Sequence, residues 1–294
     1  MSKIKTVIQI FPLLQDIDAL ERVLISLKNN SLHIDNSQHY IILDVTLPLT
    51  SYLTDWDKSI LKQDFFINKF NSLKKYTDWC DEINFNLDYN TKGIVDYWIN
   101  NIHKYEEVDN MVLLDTDLVF NSTTLFYLLS AAQEISKTKS KYVVTPEHVR
   151  LWDHTWDIIT NEHFLTHPYG YERQNDPFLD VNQEYGEVKI ESLPTFKFAG
   201  GWFTLYSKEL LDCCDFPLGI KGYAPIDTAI MEFCKHLPDA LQYKIKNLVV
   251  CEDYSYLDRN PYKGYLHSLN KKEDLRTKTS TQLQNHLVSK IKQL

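Results

Sequence analysis

A chain of 294 residues with 44% hydrophobic and 24% charged residues has an ordinary globular composition and enough length for a large core. Its net charge of −9 excludes binding to nucleic acid by bulk electrostatics, which needs clustered Lys and Arg, but leaves open a nucleotide whose phosphates a metal neutralises. The five cysteines form neither a disulfide framework nor a metal-ligand spacing, so they read as buried thiols in a reducing compartment, with the cytoplasm as the expected location.

In chain order, "MSKIKTVIQIFPLLQ" does not read as a cleavable leader. Within it "KTVIQIF" (5–11) is a short β-rich run closed by Pro12. Ile17, Leu20, Val23, Leu24 and Leu27 then repeat at helical spacing, with Asp16 placed to cap that helix. "HYIILDV" (39–45) predicts a second strand ending at Asp44, and "GIVDYWINNIHKY" (93–105) a helix. "NMVLLD" is a third clear strand, followed by a helix from about Thr124 behind the cap-forming run Asn121 to Thr124. "KYVVTPE" (141–147) is a fourth strand. Strands alternating with helices predict an α/β fold, a mostly parallel mixed sheet covered on both faces.

Residues 148–190 are rich in aromatics with little periodicity. "TFKFAGGWFTLYSKELLDCC" (195–214) reads as a strand broken by Gly200 and Gly201, then a short helix. "GIKGYAPIDTAIMEFCKHL" (219–237) reads as a loop opening a helix near Pro225 to Thr228. At the end, Leu283, Leu287, Ile291 and Leu294 share one face of an amphipathic helix expected to dock on its own domain. No run approaches the roughly 18 apolar residues of a membrane span; peripheral membrane contact through the last helix is the lesser expectation. No repeat or composition break forces a domain boundary. The 18 Tyr, 14 Phe and 6 Trp are mostly core, and their excess leans towards a sugar or base site.

The chemistry concentrates in "LLDTDLVF". If that stretch is extended, Asp115 and Asp117 point to one side and two like charges share a small volume. A hard divalent cation such as Mg2+ or Mn2+ removes the conflict. Ligands of open α/β sheets sit outside the carboxyl ends of the strands. Phe11 and Pro12, Asp44, and the acidic pair are all expected there.

Taken in order, these features resemble the nucleotide-sugar glycosyltransferases of the GT-A fold, in the broad family-2-like group, over roughly residues 5 to 235. A first strand and Pro12 open a helix ending "LISL", the second strand carries Asp44, and "LLDTDLVF" resembles the DxD motif. "FAGGWFTLYSKELL" and "GYAPIDTAI" resemble the acceptor-side segments. Three positions differ from the family pattern: Leu13-Leu14-Gln15 after Pro12, "LDVTL" in the second strand, and a single acid in "APIDT".

The resemblance implies a GT-A-like catalytic domain over 1–270, with a nucleotide-sugar half to about residue 145 and an acceptor half from 146 to 270. Residues 271–294 form a helical tail. It implies a UDP- or GDP-type sugar donor and a glycan, glycolipid or protein acceptor, with no nucleic acid partner. Mn2+ or Mg2+ would be held by Asp117 with Asp115 and completed by His267. Asp227 matches the family's general base, and Asp44 contacts the nucleoside. Lys92, before Gly93, approaches phosphate, and Gly200, Gly201 and Trp202 line the sugar. Three other readings compete. One is a haloacid-dehalogenase-type phosphatase using the first Asp as nucleophile, and another a zinc hydrolase built on His148, Asp153, His154, His163 and His167. The third is a carbohydrate-binding protein without turnover.

Overall fold

The computed structural model describes residues 3–12, 17–49, 64–89, 93–116, 118–149, 186–193, 203–220, 226–252 and 270–293. Among the described residues, nine strands form one sheet: β1 (Ile4–Ile10), β2 (His39–Pro48), β3 (Glu82–Asp88), β4 (Asn110–Leu114), β5 (Leu118–Phe120), β6 (Tyr142–Val149), β7 (Lys189–Leu193), β8 (Phe203–Ser207) and β9 (Leu241–Glu252). Among the described residues, seven α-helices accompany them: α1 (Ile17–Ser31), α2 (Asp64–Ser72), α3 (Ile94–Lys104), α4 (Thr124–Ser136), α5 (Lys208–Cys214), α6 (Ile226–Cys234) and α7 (Asn270–Ile291).

The sheet order is β3-β2-β1-β4-β8-β6-β9-β5, with β7 also on β9. β1 to β4 run parallel, β8 enters antiparallel between β4 and β6, and β9 is parallel to β6. The architecture is therefore α/β, a mixed and mostly parallel sheet flanked by helices, with a C-terminal helix.

Alternation along the central strands explains why both faces are covered. Ile8 and Ile10, Leu43 and Val45, Val112 and Leu114 pack into a core with Leu20 and Leu24 of α1 and Leu125 and Leu128 of α4. Val7, Ile42, Met111, Val143 and Tyr206 turn the other way, onto Trp98 of α3, Leu210 of α5, Phe233 of α6 and Leu287 of α7. The last helix thus docks on its own domain, as its apolar stripe predicts. Leu283 and Leu287 are buried, while Leu294 lies outside the described residues.

Several boundaries differ from the sequence reading. β2 does not end at Asp44 but runs on to Pro48, because β3 pairs with it from Ile42 to Pro48 and extends the ladder. β4 ends at Leu114 and Thr116 lies in a turn, so Asp115 stands beyond the strand rather than within it. The start of α4 uses Asn121, whose Oδ1 accepts from the Thr123 amide at 2.9 Å and from its hydroxyl at 2.8 Å. The expected cap Asp16 lies outside the described residues.

The sheet is also curled. β4 and β5 are separated by only three residues, yet four strand spacings lie between them along the sheet order. A flat sheet would set them about 19 Å apart, whereas the connecting chain reaches about 14 Å at most. Phe120 of β5 accordingly meets Phe203 of β8, their ring centroids 4.9 Å apart.

Candidate active site at the carboxyl ends of the strands

β1 and β4 are parallel neighbours whose last paired rung is Gln9 with Leu113. Phe11 and Asp115 each stand two residues beyond that rung, so the structure brings these two predicted residues to the same end of adjacent central strands. Pro12 is buried beside them and Asp115 is half-buried. The Phe11 ring stacks on Tyr97 of α3 at 5.5 Å, which places the first turns of α3 against the end of β1. A three-residue link, Asp115 to Asp117, carries the chain from the end of β4 into β5, whose Leu118 pairs with Glu252 at the end of β9.

Asp227 occupies the first turn of α6 and is half-buried. Its charge reaches the Tyr206 hydroxyl, which burial first and Asp227 second hold well above the ordinary tyrosine range. Tyr206 belongs to β8 and lies on the α3 side of the sheet, so Asp227 approaches that same side.

That side carries an unusual seam. Gln9 pairs in register with Asp44 and Leu113, Leu113 with Thr204, and Thr145 with Lys244. Asp44, Gln9, Thr204, Thr145 and Lys244 are all buried. Polar groups cost stability in a core, and here they gather about one rung below the strand ends where Phe11 and Asp115 stand.

Asp44 is placed differently from its expectation. It sits in the middle of β2, 1% exposed, and its carboxylate accepts from the Tyr105 hydroxyl at 2.5 Å and the Lys104 ammonium at 2.8 Å. Lys104 and Tyr105 line a cleft of about 580 Å³ with Lys5, Tyr40 and Glu82. Those residues mark the amino ends of the strands, opposite to Phe11 and Asp115. The strand does not end at Asp44 but continues past it to Pro48. At Gly93 the backbone amide donates to Asp96 Oδ2 at 2.8 Å, so an internal carboxylate already meets the α3 N-terminus where Lys92 and Gly93 were expected to receive phosphate.

Asp117, Lys92, Gly200, Gly201, Trp202 and His267 lie outside the described residues, as do Asp153, His154, His163 and His167 and the side chain of His148. Among the described residues no three His, Cys, Asp or Glu side chains converge to hold a metal. The carboxylates of the acidic link are the donor type that a hard divalent cation prefers.

Sequence reasoning missed Glu147 and Lys244, a buried ion pair with Nζ to Oε1 at 3.1 Å. The alternating run "QYKIKNLVV" was the available signal for the strand that carries Lys244.

No family model and no curated protein matches this chain. Among solved structures, Staphylococcus aureus TarS is similar at a TM-score of 0.45 and 13% identity, over 97% of this chain and 43% of that one. The TarS 1-349 structure is similar at 0.43 and 13%, over 83% and 60%. The chain thus spans less than two thirds of either. No helix among the described residues is long and apolar enough to cross a membrane.

Proposed function

We propose that this protein is a divalent-metal-dependent glycosyltransferase of the GT-A type, acting in the cytoplasm. It moves a sugar from a nucleoside-diphosphate donor to a hydroxyl acceptor with inversion. The observation that carries the reading is the acidic link, which leaves the carboxyl end of central strand β4 beside Phe11 and Pro12. Ligands of open α/β sheets collect at that end.

In this reading Asp117 and Asp115 hold Mn2+ or Mg2+, with His267 completing the set. The bound cation supplies neutralisation of the diphosphate and of the charge that grows on it as it leaves. Asp227 is the general base. Placed in the first turn of α6, its carboxylate is favoured by the helix dipole and takes the acceptor's proton. The acceptor oxygen attacks the anomeric carbon, the bond from that carbon to the diphosphate breaks, and the acceptor proton passes to Asp227. Products are the glycoside and the nucleoside diphosphate. Gly200, Gly201 and Trp202 line the sugar. Residues 1–145 serve the donor and 146–270 the acceptor, a glycan, glycolipid or protein. Asp44 takes no part.

The test is a calorimetric titration of UDP and of GDP, with and without Mn2+, on wild type and Asp117→Ala. The expected outcome is metal-dependent binding that weakens at least about tenfold in the variant, a loss of about 1.4 kcal/mol or more. Tight binding that ignores the substitution sinks the metal assignment. Absence of binding combined with release of phosphate from a phosphomonoester replaces the transferase by a phosphatase.

A further inference from the structure

We propose that Glu147 is a positioning residue whose carboxylate clamps the corner of the sheet and so holds β5, and the acidic link leading into it, at the carboxyl end of β4. The functional half of this inference rests on reading that link as the metal site. The geometric half does not.

The curl described above needs a corner, and the pairing locates it. β6 and β9 keep register up to Pro146 with Ile245, then resume at Glu147 with Val249. Lys246, Asn247 and Leu248 are therefore extra residues on β9, a multi-residue bulge that bends the strand and raises its twist. Asn247 sits in the left-handed region at φ 65°. The bulge also changes the partner on the outer edge of β9. Up to its first residue, Gln242 to Lys246 pair with β7; after it, Val250 to Glu252 pair with β5. Without the bulge, β9 would run straight and β5 could not reach both β9 and the end of β4.

Glu147 grips this corner from both sides. Fully buried, its Oε2 accepts from the Asn247 amide inside the bulge at 2.6 Å, and its Oε1 accepts from Lys244 Nζ before the bulge at 3.1 Å. The Asn247 side chain in turn donates to the Glu187 carbonyl at 2.9 Å. Gly186, at φ 132°, lies so close beneath it that a Cβ there would sit 2.8 Å from Asn247 Nδ2. Burial raises the Glu147 carboxyl, and the Asn247 amide and Lys244 oppose that shift. Apolar residues usually stabilise a core as well as a buried ion pair does. Here the two charges tie the start of the bulge to its middle, which an apolar pair cannot do.

Hydrogen exchange resolved by segment tests the clamp in Glu147→Gln and in the double variant Glu147→Met/Lys244→Met. The double variant leaves neither buried charge alone and keeps the core apolar. In both, amides of Leu118 to Phe120 are expected to exchange at least about tenfold faster while those of β1 and β4 stay as in wild type. Titration with Mn2+ plus UDP, and Mn2+ plus GDP, is expected to weaken by a similar factor. Unchanged protection of β5 overturns the clamp. So does loosening of β1, β4 and β5 together, which marks an ordinary stabiliser of the whole fold. Loosened β5 with unaltered Mn2+–nucleotide affinity overturns the positioning of the link. If wild type binds neither nucleotide with Mn2+, the metal-site reading fails, and the exchange arm alone decides the clamp.

Discussion

At the scale of single residues, Asp44 shows how an acidic side chain acquires a role from depth rather than from sequence position. Burial comes first and the hydrogen bond to Asp44 second in driving the Tyr105 hydroxyl far above the ordinary tyrosine range. It therefore remains a protonated donor at every working pH. Asp44 gives the carboxylate to that donor and to Lys104, which is half-exposed and reaches in from the amino-end cleft. A hydrogen bond to a buried charged group contributes about 1.5–3 kcal/mol. Asp44→Asn preserves the shape and removes the charge. It is expected to lower unfolding free energy by about 2 kcal/mol in urea titrations while leaving nucleotide affinity unchanged. A loss of nucleotide affinity without loss of stability would return Asp44 to the binding site.

Among elements, legibility followed burial on both faces. β1, β2, β4 and β6 are central or nearly so, and their uninterrupted apolar runs announced them. The helices α1, α3, α4, α6 and α7 showed their stripes. β3 is an edge strand with Glu82, Ile83 and Asn86 exposed, so "EINFNLD" lacks a continuous apolar signal. β5 has three residues, too few for any period to appear, and β7 is an outer strand with exposed Lys189, Ile190 and Ser192. β9 breaks its own alternation at the bulge. The carboxyl ends of β1 and β4 could be read from the sequence because short apolar runs stop there. The clamp at Glu147 could not, since it depends on a register shift between strands about a hundred residues apart. Asn30 is a similar case between elements. Its Nδ2 donates to the Ser26 carbonyl at 2.8 Å and the Asn121 carbonyl at 3.2 Å, and its Oδ1 accepts from the Leu125 amide at 2.8 Å. One fully buried amide thus ties the end of α1 to the start of α4. Asn30→Ala is expected to cost about 2–3 kcal/mol, since the Leu125 amide loses its acceptor. Asn30→Asp is expected to cost more, because it removes both donors and buries a charge. Chemical denaturation of the two variants checks the order, and an Asp variant as stable as wild type would refute it.

Over the whole molecule, the sheet joins what the sequence suggested as a donor half and an acceptor half. β8, from the second half, lies against β4 of the first over five rungs from Asn110 with Ser207 to Leu114 with Phe203. Each core mixes the halves as well. Ile8 and Leu43 share one cluster with Phe203, Leu205 and Val250. Val7 and Trp98 share the other with Tyr206, Phe233 and Leu287. Neither half can release its apolar surface without exposing the other's, so cooperative unfolding should include both. Calorimetry is expected to give a single transition with equal calorimetric and van't Hoff enthalpies. Val7→Ala in the first half and Leu205→Ala in the second are both expected to lower that one transition. Leu205→Ala, which removes more buried volume, is expected to cost about 2–5 kcal/mol and to shift the midpoint further. Two resolved transitions, with Val7→Ala moving one and Leu205→Ala the other, would show that the halves unfold separately and that the β4–β8 ladder does not couple them.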